Sequence, residues 1–365
     1  MIIGIDISQI VYKGSGVARY TEGVVNAILE FDTKNTWYFY FSSLRQTLDP
    51  QLAERIRAKK HVLCLYKYPP TFLSWYWNDM RSVSTKLPSL YNIPGNMDWF
   101  ITSDWAEPPL SVKKATIIHD LVYKKYPETL HPSIVKTQKK RLQHVARESD
   151  LIVCVSQSTK RDLLNEFSID SKKILVTYTG IPVPSSSKVP RKITDLYPLH
   201  KPYILTVGKL EPRKNIERLI KAFKKTDTTA QLVIVGDTGW GGAHQNNSEN
   251  IVFLGYVPDE HLQLLYQQAL FFVYPSLYEG FGYPVIEAMS YGCPVGTSNS
   301  SSLKEIARET ALLFDPMDVD SIRDAIQKLF DDEKLREDLR TKGKAHSEKF
   351  TWKRYFDTFV KRLDM

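Results

Sequence analysis

Residues 271–289 read FFVYPSLYEGFGYPVIEAM. Phe271–Tyr274 is a short apolar run of strand-favouring residues, and Pro275 lacks the backbone donor that a continuing central strand would need. A loop carrying Glu279, Gly280 and Gly282 follows. Pro284 then stands where a first helical turn accepts it, which puts Glu287 one turn into a helix. Glycines let backbone N–H groups approach a ligand closely, and a helix N-terminus favours anionic or oxygen-rich groups. A carboxylate in such a place can accept two hydrogen bonds from a vicinal diol, which suits a ribose or a hexose. Taken singly, either glutamate also suits a solvated acid in a first helical turn.

The same alternation of strand and helix runs outward in both directions. Candidate strands are Ile2–Ser8, Trp37–Ser42, His61–Tyr66, Trp99–Ser103, Ala115–His119, Leu151–Ser156 and Ile174–Thr179. Beyond them come Tyr203–Gly208, Gln231–Gly236, Ile251–Leu254, Leu270–Tyr274, Val295–Thr297 and Ala311–Phe314. Strands bounded by helical segments at this rhythm indicate parallel sheets with crossover helices, an α/β class. The Pro- and Ser-rich stretch Gly180–Pro202 interrupts the pattern and reads as a linker. A chain of 365 residues is long for a single core. The expectation is two Rossmann-like domains, 1–185 and 200–349, with a C-terminal helix at 350–365 returning to the first. In parallel sheets, loops at the carboxyl ends of strands collect ligands, and two facing sheets would bring both sets into one cleft.

Three further constellations lie at such strand ends. Ile204–Asn215, ILTVGKLEPRKN, is a strand that ends at Gly208 and turns into a helix. Arg213 and Lys214 would sit beside the helix N-terminus, where the dipole disfavours cations. A bound diphosphate would resolve that conflict by pairing with both side chains and with the free N–H groups, whereas a solvated basic pair fits the same residues. Gly14-Ser15-Gly16-Val17-Ala18-Arg19-Tyr20 opens a helix after the first strand without completing a G-x-G-x-x-G pattern. His119-Asp120 follows the strand Ala115–His119, where a histidine is a structural residue or a ligand contact.

Composition narrows the function classes. Hydrophobic residues make up 42% and charged residues 25%, as in an ordinary globular protein. No apolar run approaches the ~20 residues of a membrane span, and MIIGIDIS reads as a first strand, so a cytoplasmic location is expected. Cys64, Cys154 and Cys293 are far apart and have no metal-ligand spacing. Residues 1–190 hold 25 Lys and Arg against 17 Asp and Glu, leaving 24 of each for the remainder. All the excess charge is therefore N-terminal. It fits an anionic membrane surface, a phosphate-bearing acceptor, or a scattered solvated surface. The aromatic stretch Tyr66–Trp77 could enter a membrane interface beside Arg55, Arg57, Lys59 and Lys60, or pack as a helix on the N-terminal sheet.

Taken together, EGFGYP between Glu279 and Glu287, VGKLEPRKN, GSGVARYT, IIHDL and VCVSQSTKRDL make the chain closely resemble the retaining glycosyltransferases of the GT-B fold, family 4. The likeness spans nearly the whole length. It implies that Glu279 contacts the donor sugar, and that the backbone of Gly280, Phe281, Gly282 and Tyr283 holds sugar hydroxyls and diphosphate. Glu287 would bind the ribose, Arg213 and Lys214 would neutralise the departing diphosphate, and His119 would stabilise the reacting centre. Gly16 would supply an N–H to a phosphate, Gly208 would border the donor site, and Tyr256 and Val257 would meet the base through their backbone. Where the family commonly has Gly-Gly-Ile-Gly-Arg-Tyr, Ser15 and Ala18 replace glycines here, so a stiffer loop near Ser15 is expected. The usual asparagine before the linker glycine is Thr179.

The resemblance implies a hexosyltransferase of polysaccharide biosynthesis that needs no metal or other cofactor. Its first-choice donor is GDP-mannose, with UDP-hexoses and dTDP-rhamnose behind it. Partners would be that nucleotide sugar, a glycan or lipid-linked acceptor, and an anionic membrane touched peripherally by the N-terminal domain. Nucleic acid is not expected, since the basic half has no recognised binding module. A sugar-nucleotide epimerase of the same architecture and a non-catalytic subunit are the competing readings.

Overall fold

The computed structural model describes residues 1–12, 14–80, 88–181, 192–199, 202–239 and 247–365. The chain divides into two compact units. Unit 1 holds Met1–Pro127, Pro132–Gly180 and Thr351–Met365; unit 2 holds Glu128–His131 and Ile181–Phe350.

Unit 1 is built on strands β1 (Ile2–Asp6), β2 (Thr36–Ser42), β3 (Val62–Tyr66), β4 (Trp99–Ser103), β5 (Lys113–Ile118), β6 (Leu151–Cys154) and β7 (Ile174–Val176), in the spatial order β3-β2-β1-β4-β5-β6-β7. Every pairing is parallel; Ile3, for example, stands opposite Trp37 on one side and Trp99 on the other. Unit 2 carries β8 (Tyr203–Val207), β9 (Gln231–Val235), β10 (Ile251–Gly255), β11 (Phe271–Tyr274), β12 (Val295–Ser298) and β13 (Leu312–Phe314), ordered β10-β9-β8-β11-β12-β13. All thirteen expected strands are present in two parallel α/β sheets. Continuous apolar runs such as LVIV in β9 are buried along their length, as a sheet covered on both faces requires.

Local hydrogen bonds explain where strands stop sooner than their apolar runs suggest. The run Ile2–Ser8 leaves the sheet at Asp6, whose Oδ1 accepts from the Ser8 amide at 2.9 Å and the Ser8 hydroxyl at 2.5 Å and folds the chain into a 3-10 turn. The run Leu151–Ser156 ends at Cys154 because Ser156 caps the next helix, accepting from the Thr159 amide at 3.0 Å. Cys154 and Cys293 are buried free thiols, each pushed up to about 12 by that burial.

One reading of the sequence is narrowed. Of the linker Gly180–Pro202, residues 182–191, 200 and 201 lie outside the described residues, but 192–199 are not a loose connection. Ile193 and Leu199 are buried, the Ile193 amide donates to Gln268 Oε1 at 3.2 Å, and Tyr197 pairs with His261 at 2.8 Å. Apolar residues between the prolines anchor this piece to the helix Asp259–Gln268. Ser15 has a helical role of its own. Its φ of −100° needs no glycine, and its hydroxyl accepts from the Ala18 amide at 3.1 Å as the N-cap of the helix Gly16–Phe31.

The aromatic stretch resolves into the end of β3, a short helix Pro70–Ser74 and a π-helical turn Trp75–Asp79. Leu73 and Trp77 are buried with Tyr40, Tyr91 and Phe100, while Trp75 is 49% and Leu65 58% exposed. Among the described residues, no helix is long and apolar enough to cross a membrane.

The last helix, Trp352–Leu363, belongs to unit 1 and lies along Gly16–Phe31. Tyr20 and Tyr355 share a hydroxyl–hydroxyl hydrogen bond, and Trp99 Nε1 donates to the Leu363 carbonyl at 3.1 Å. Gly23 makes the close approach possible, since a Cβ there would fall 1.9 Å from the Trp352 ring. Gly23→Ala should therefore cost about 2 kcal/mol, read as a shift in urea midpoint. Gly95→Ala, whose Cβ meets nothing within 4 Å, should stay within about 0.5 kcal/mol of the parent.

Candidate active site

In unit 2 the chain order reverses between β8 and β11, the place in an open parallel sheet where ligands collect. The turn after β8 begins with Pro212 at the first position of a 3-10 helix and ends at Asn215, whose φ of 63° is left-handed. Asparagine bears this conformation because its short amide bonds nearby backbone. Here Nδ2 donates to the carbonyls of Pro275 and Pro316, at 3.0 and 2.8 Å. The Leu277 amide in turn donates to the Arg213 carbonyl at 2.9 Å. The loops after β8 and β11 are thereby stitched together, with Arg213 and Lys214 between them.

Both cations converge on one carboxylate oxygen. Glu279 Oε1 accepts from Lys214 Nζ at 2.6 Å, from the Tyr274 hydroxyl at 2.8 Å and from Ser276 Oγ at 2.6 Å, and lies 2.9 Å from Arg213 Nη1. The Arg213, Lys214 and Glu279 side chains are only 12–13% exposed. Burial by itself raises the pKa of Glu279, but Arg213 and then Lys214 outweigh it and hold the carboxyl at about 2. For Lys214 burial lowers the pKa, Glu279 opposes that, and Arg213 adds to it.

The glycine turn is fixed from the far side. The Glu279 amide donates to Ser301 Oγ at 2.9 Å, and Ser302 Oγ lies 2.8 Å from the carbonyl oxygens of both Glu279 and Phe281, within donating reach of either. Gly282 is required twice over: its φ is +109°, and a Cβ would lie 2.7 Å from Leu303. It opens the helix Tyr283–Ser290, on which Glu287 sits 6% exposed, one turn in. Gly280 and Phe281 are buried within the turn and Tyr283 half-buried at the helix start. At the neighbouring strand ends Gly208 and Gly236 pass so closely that a Cβ on Gly236 would meet the Gly208 carbonyl oxygen at 2.1 Å. Beyond β10 the Tyr256 amide donates to Asp237 Oδ1 at 3.1 Å; Tyr256 is 63% exposed and Val257 buried.

Unit 1 places His119 directly after β5 with its ring edge-on to Tyr20 at 4.8 Å. His119 Nε2 is buried without a hydrogen-bond partner among the described residues. Burial lowers its pKa to about 4, against a smaller opposing pull from Asp120, so the imidazole is neutral at pH 7. The reversal of strand order in this sheet falls between β1 and β4, with Asp6 ending one strand and Asp104 following the other. Burial raises the pKa of both, that of Asp6 to about 6. Gly16 opens its helix with nothing within 4 Å of a built Cβ.

The comparisons can be set against this geometry. The family description "Glycosyltransferase Family 4" matches residues 14–183 and "Glycosyl transferases group 1" matches 195–346. O-antigen chain mannosyltransferase B of Escherichia coli is 34% identical over 258 residues, covering 66% of this chain and 67% of that protein. The chain belongs to the family 4 glycosyltransferases. Serotype-specific mannosyltransferase WbdA of Escherichia coli is 30% identical over 222 residues, 56% of this chain but only 27% of that longer protein. A sucrose-phosphate synthase from Thermosynechococcus elongatus superposes over all of this chain and 99% of its own with a TM-score of 0.74 at 17% identity, a likeness of GT-B fold alone.

This glycosyltransferase therefore brings Arg213, Lys214 and Glu279 into direct contact, with Gly280, Phe281, Gly282 and Tyr283 continuing the same turn. Glu287, Gly208, Tyr256 and Val257 lie on or beside neighbouring strand ends of unit 2, and His119 and Gly16 belong to unit 1. Sequence reasoning missed Tyr274, Ser276, Asn215, Ser301 and Ser302. The run Ser300-Ser301-Ser302 after β12 was the one available signal for the last two, because hydroxyls beside a strand end suit a loop that needs donors.

Replacing Glu279 by Gln should leave two buried cations without their counter-charge and cost about 3 kcal/mol. Inorganic diphosphate should then raise the melting temperature of Glu279→Gln more than that of the parent, which differential scanning fluorimetry can check. His119, whose folded pKa is depressed from 6.5 to about 4, contributes stability above pH 6.5 that is lost as pH falls toward 4. His119→Asn should flatten the fall of the urea midpoint across that window.

Proposed function

We propose that this enzyme transfers mannose from GDP-mannose, with retention at the anomeric carbon, to a glycan or lipid-linked acceptor in polysaccharide assembly. The names of the O-antigen mannosyltransferase relatives support the sugar and the pathway class. The observation that carries the chemistry is the Arg213–Lys214–Glu279 cluster at the β8/β11 reversal. Residues 200–349 would form the donor domain, and 1–185 with the terminal helix the acceptor domain.

Departure of the nucleotide builds negative charge on the diphosphate and positive charge on the anomeric carbon. Arg213 and Lys214, with backbone N–H groups near Gly282, would stabilise the first, a preorganised electrostatic contribution that takes the place of a divalent metal. Glu279 would accept hydroxyls of the sugar and Glu287 those of the ribose, with the base beside Tyr256 and Val257. His119, neutral at pH 7, would offer a dipole and no fixed charge to the reacting sugar. The acceptor hydroxyl attacks on the face the nucleotide leaves, and the departing phosphate oxygen takes its proton, so the chain supplies no nucleophile.

Acceptor hydroxyls would meet Asp6 and Asp104 at the β1/β4 reversal. Exposed Trp75 and Leu65, with Arg55 and Arg57 on the helix Pro50–Ala58, support peripheral contact with an anionic membrane from the cytoplasmic side.

Purified enzyme supplied in parallel with GDP-mannose, a UDP-hexose or dTDP-rhamnose, and with a lipid-linked acceptor, should release GDP from the first in an acceptor-dependent way. The new linkage should keep the donor's anomeric configuration. Arg213→Ala should lower kcat/KM by roughly 10²–10³. Full transfer by that variant, or conversion of the donor to an isomeric nucleotide sugar without acceptor, would remove the reading.

A further inference from the structure

Tyr274 lies outside the glycine turn and the basic turn, yet it touches both. It is the last residue of β11 and 1% exposed, its ring stacked on Phe272 at 5.8 Å with 20° between the planes. Thr297 Oγ1 donates to its carbonyl at 3.0 Å, so strand and neighbour fix where the ring points. The hydroxyl stands 2.7 Å from Lys214 Nζ and 2.8 Å from Glu279 Oε1.

The direction of those two bonds follows from chemistry. An ammonium can only donate and an ionised carboxylate can only accept. The phenol proton must therefore point to Glu279 and a phenol lone pair to Lys214. Two of the three ammonium donors are then taken, by Tyr274 and by Glu279, and the third has no partner among the described residues. Glu279 is oriented by the same device. Tyr274, Ser276, Lys214 and Arg213 all approach Oε1, which leaves Oε2 as the oxygen available to a ligand.

We infer that Tyr274 is a positioning residue for transfer: its hydroxyl holds the Lys214 ammonium against Glu279 so that one N–H remains for a donor diphosphate and Oε2 for the donor sugar. This rests on the diphosphate-cradle reading given above. It adds a strand residue to the machinery, acting through Lys214 and Glu279 and not by touching substrate.

The charged groups facing Lys214 are Glu279, Arg213 and Glu211, with Tyr274 as the neutral acceptor. Burial already lowers the Lys214 pKa, Glu279 and Glu211 raise it, and Arg213 lowers it. Taking away the phenol oxygen removes an acceptor for the charged form, so Lys214 loses its proton at lower pH. A diphosphate that depends on that charge is released earlier as pH rises. Tyr274 itself stays protonated throughout, since burial and then Glu279 drive its pKa well upward.

Tyr274→Phe keeps the ring and deletes only the hydroxyl. In the full chain, titration calorimetry with inorganic diphosphate should show affinity about 10-fold weaker at pH 7, the size of one charge-assisted hydrogen bond. The alkaline limb of binding should move to lower pH, and GDP-mannose turnover should lose kcat while the acceptor KM is kept. Wild-type affinity with a wild-type pH profile overturns the inference. So does a variant that fails to fold, or one that melts earlier with an unmoved alkaline limb, because a structural tyrosine would do the same. If the parent itself ignores inorganic diphosphate, the cradle reading fails and the inference with it; if the parent binds and the variant is unchanged, only the inference fails.

Discussion

Two buried cations and one buried carboxylate set the terms for unit 2. Arg213, Lys214 and Glu279 lie almost out of water, where an unpaired charge costs several kcal/mol, so none is tolerable without the others or a ligand in their place. Mutual neutralisation keeps all three groups charged and fixed in direction. Under the proposed reading a diphosphate would meet donors already in position, which is the condition for electrostatic preorganisation.

Much of the surrounding backbone is explained by that requirement. Asn215 takes a left-handed conformation and spends its amide on the carbonyls of Pro275 and Pro316, fastening the basic turn to the acidic one. Gly236 admits the Gly208 carbonyl where any side chain would collide, and Gly282 turns the chain where an L side chain would be both strained and obstructed by Leu303. Ser301 and Ser302 bond the outer side of the turn and free Glu279 to face inward. Each contact is modest; together they hold the loops that carry the three charged side chains.

Unit 1 solves a different problem. Its last helix comes from the far end of the sequence, and the Gly23 gap, the Tyr20–Tyr355 pair and the Trp99–Leu363 bond secure it. Tyr20 also lies edge-on to His119, so the helix that receives the chain terminus supports the histidine as well. The imidazole is neutral at pH 7 because burial disfavours its charged form more than Asp120 favours it.

The sequence by itself determined the thirteen strands, the parallel α/β class and the family, because short apolar runs closed by glycine and proline are local signals and EGFGYP with PRKN survives as text. It also marked the charged residues of the site. It left their pairing open, since a basic pair and an acidic turn more than sixty residues apart look equally well like solvated surface. Tertiary structure decided that Arg213 and Lys214 meet Glu279 on a single oxygen, that Tyr274 joins them from a strand whose sequence reads only as core, and that Ser15 caps a helix. The reason is physical: strand pairing at β8 and β11 sets which loop ends become neighbours, and hydrogen-bond direction is fixed only once donor and acceptor stand within reach.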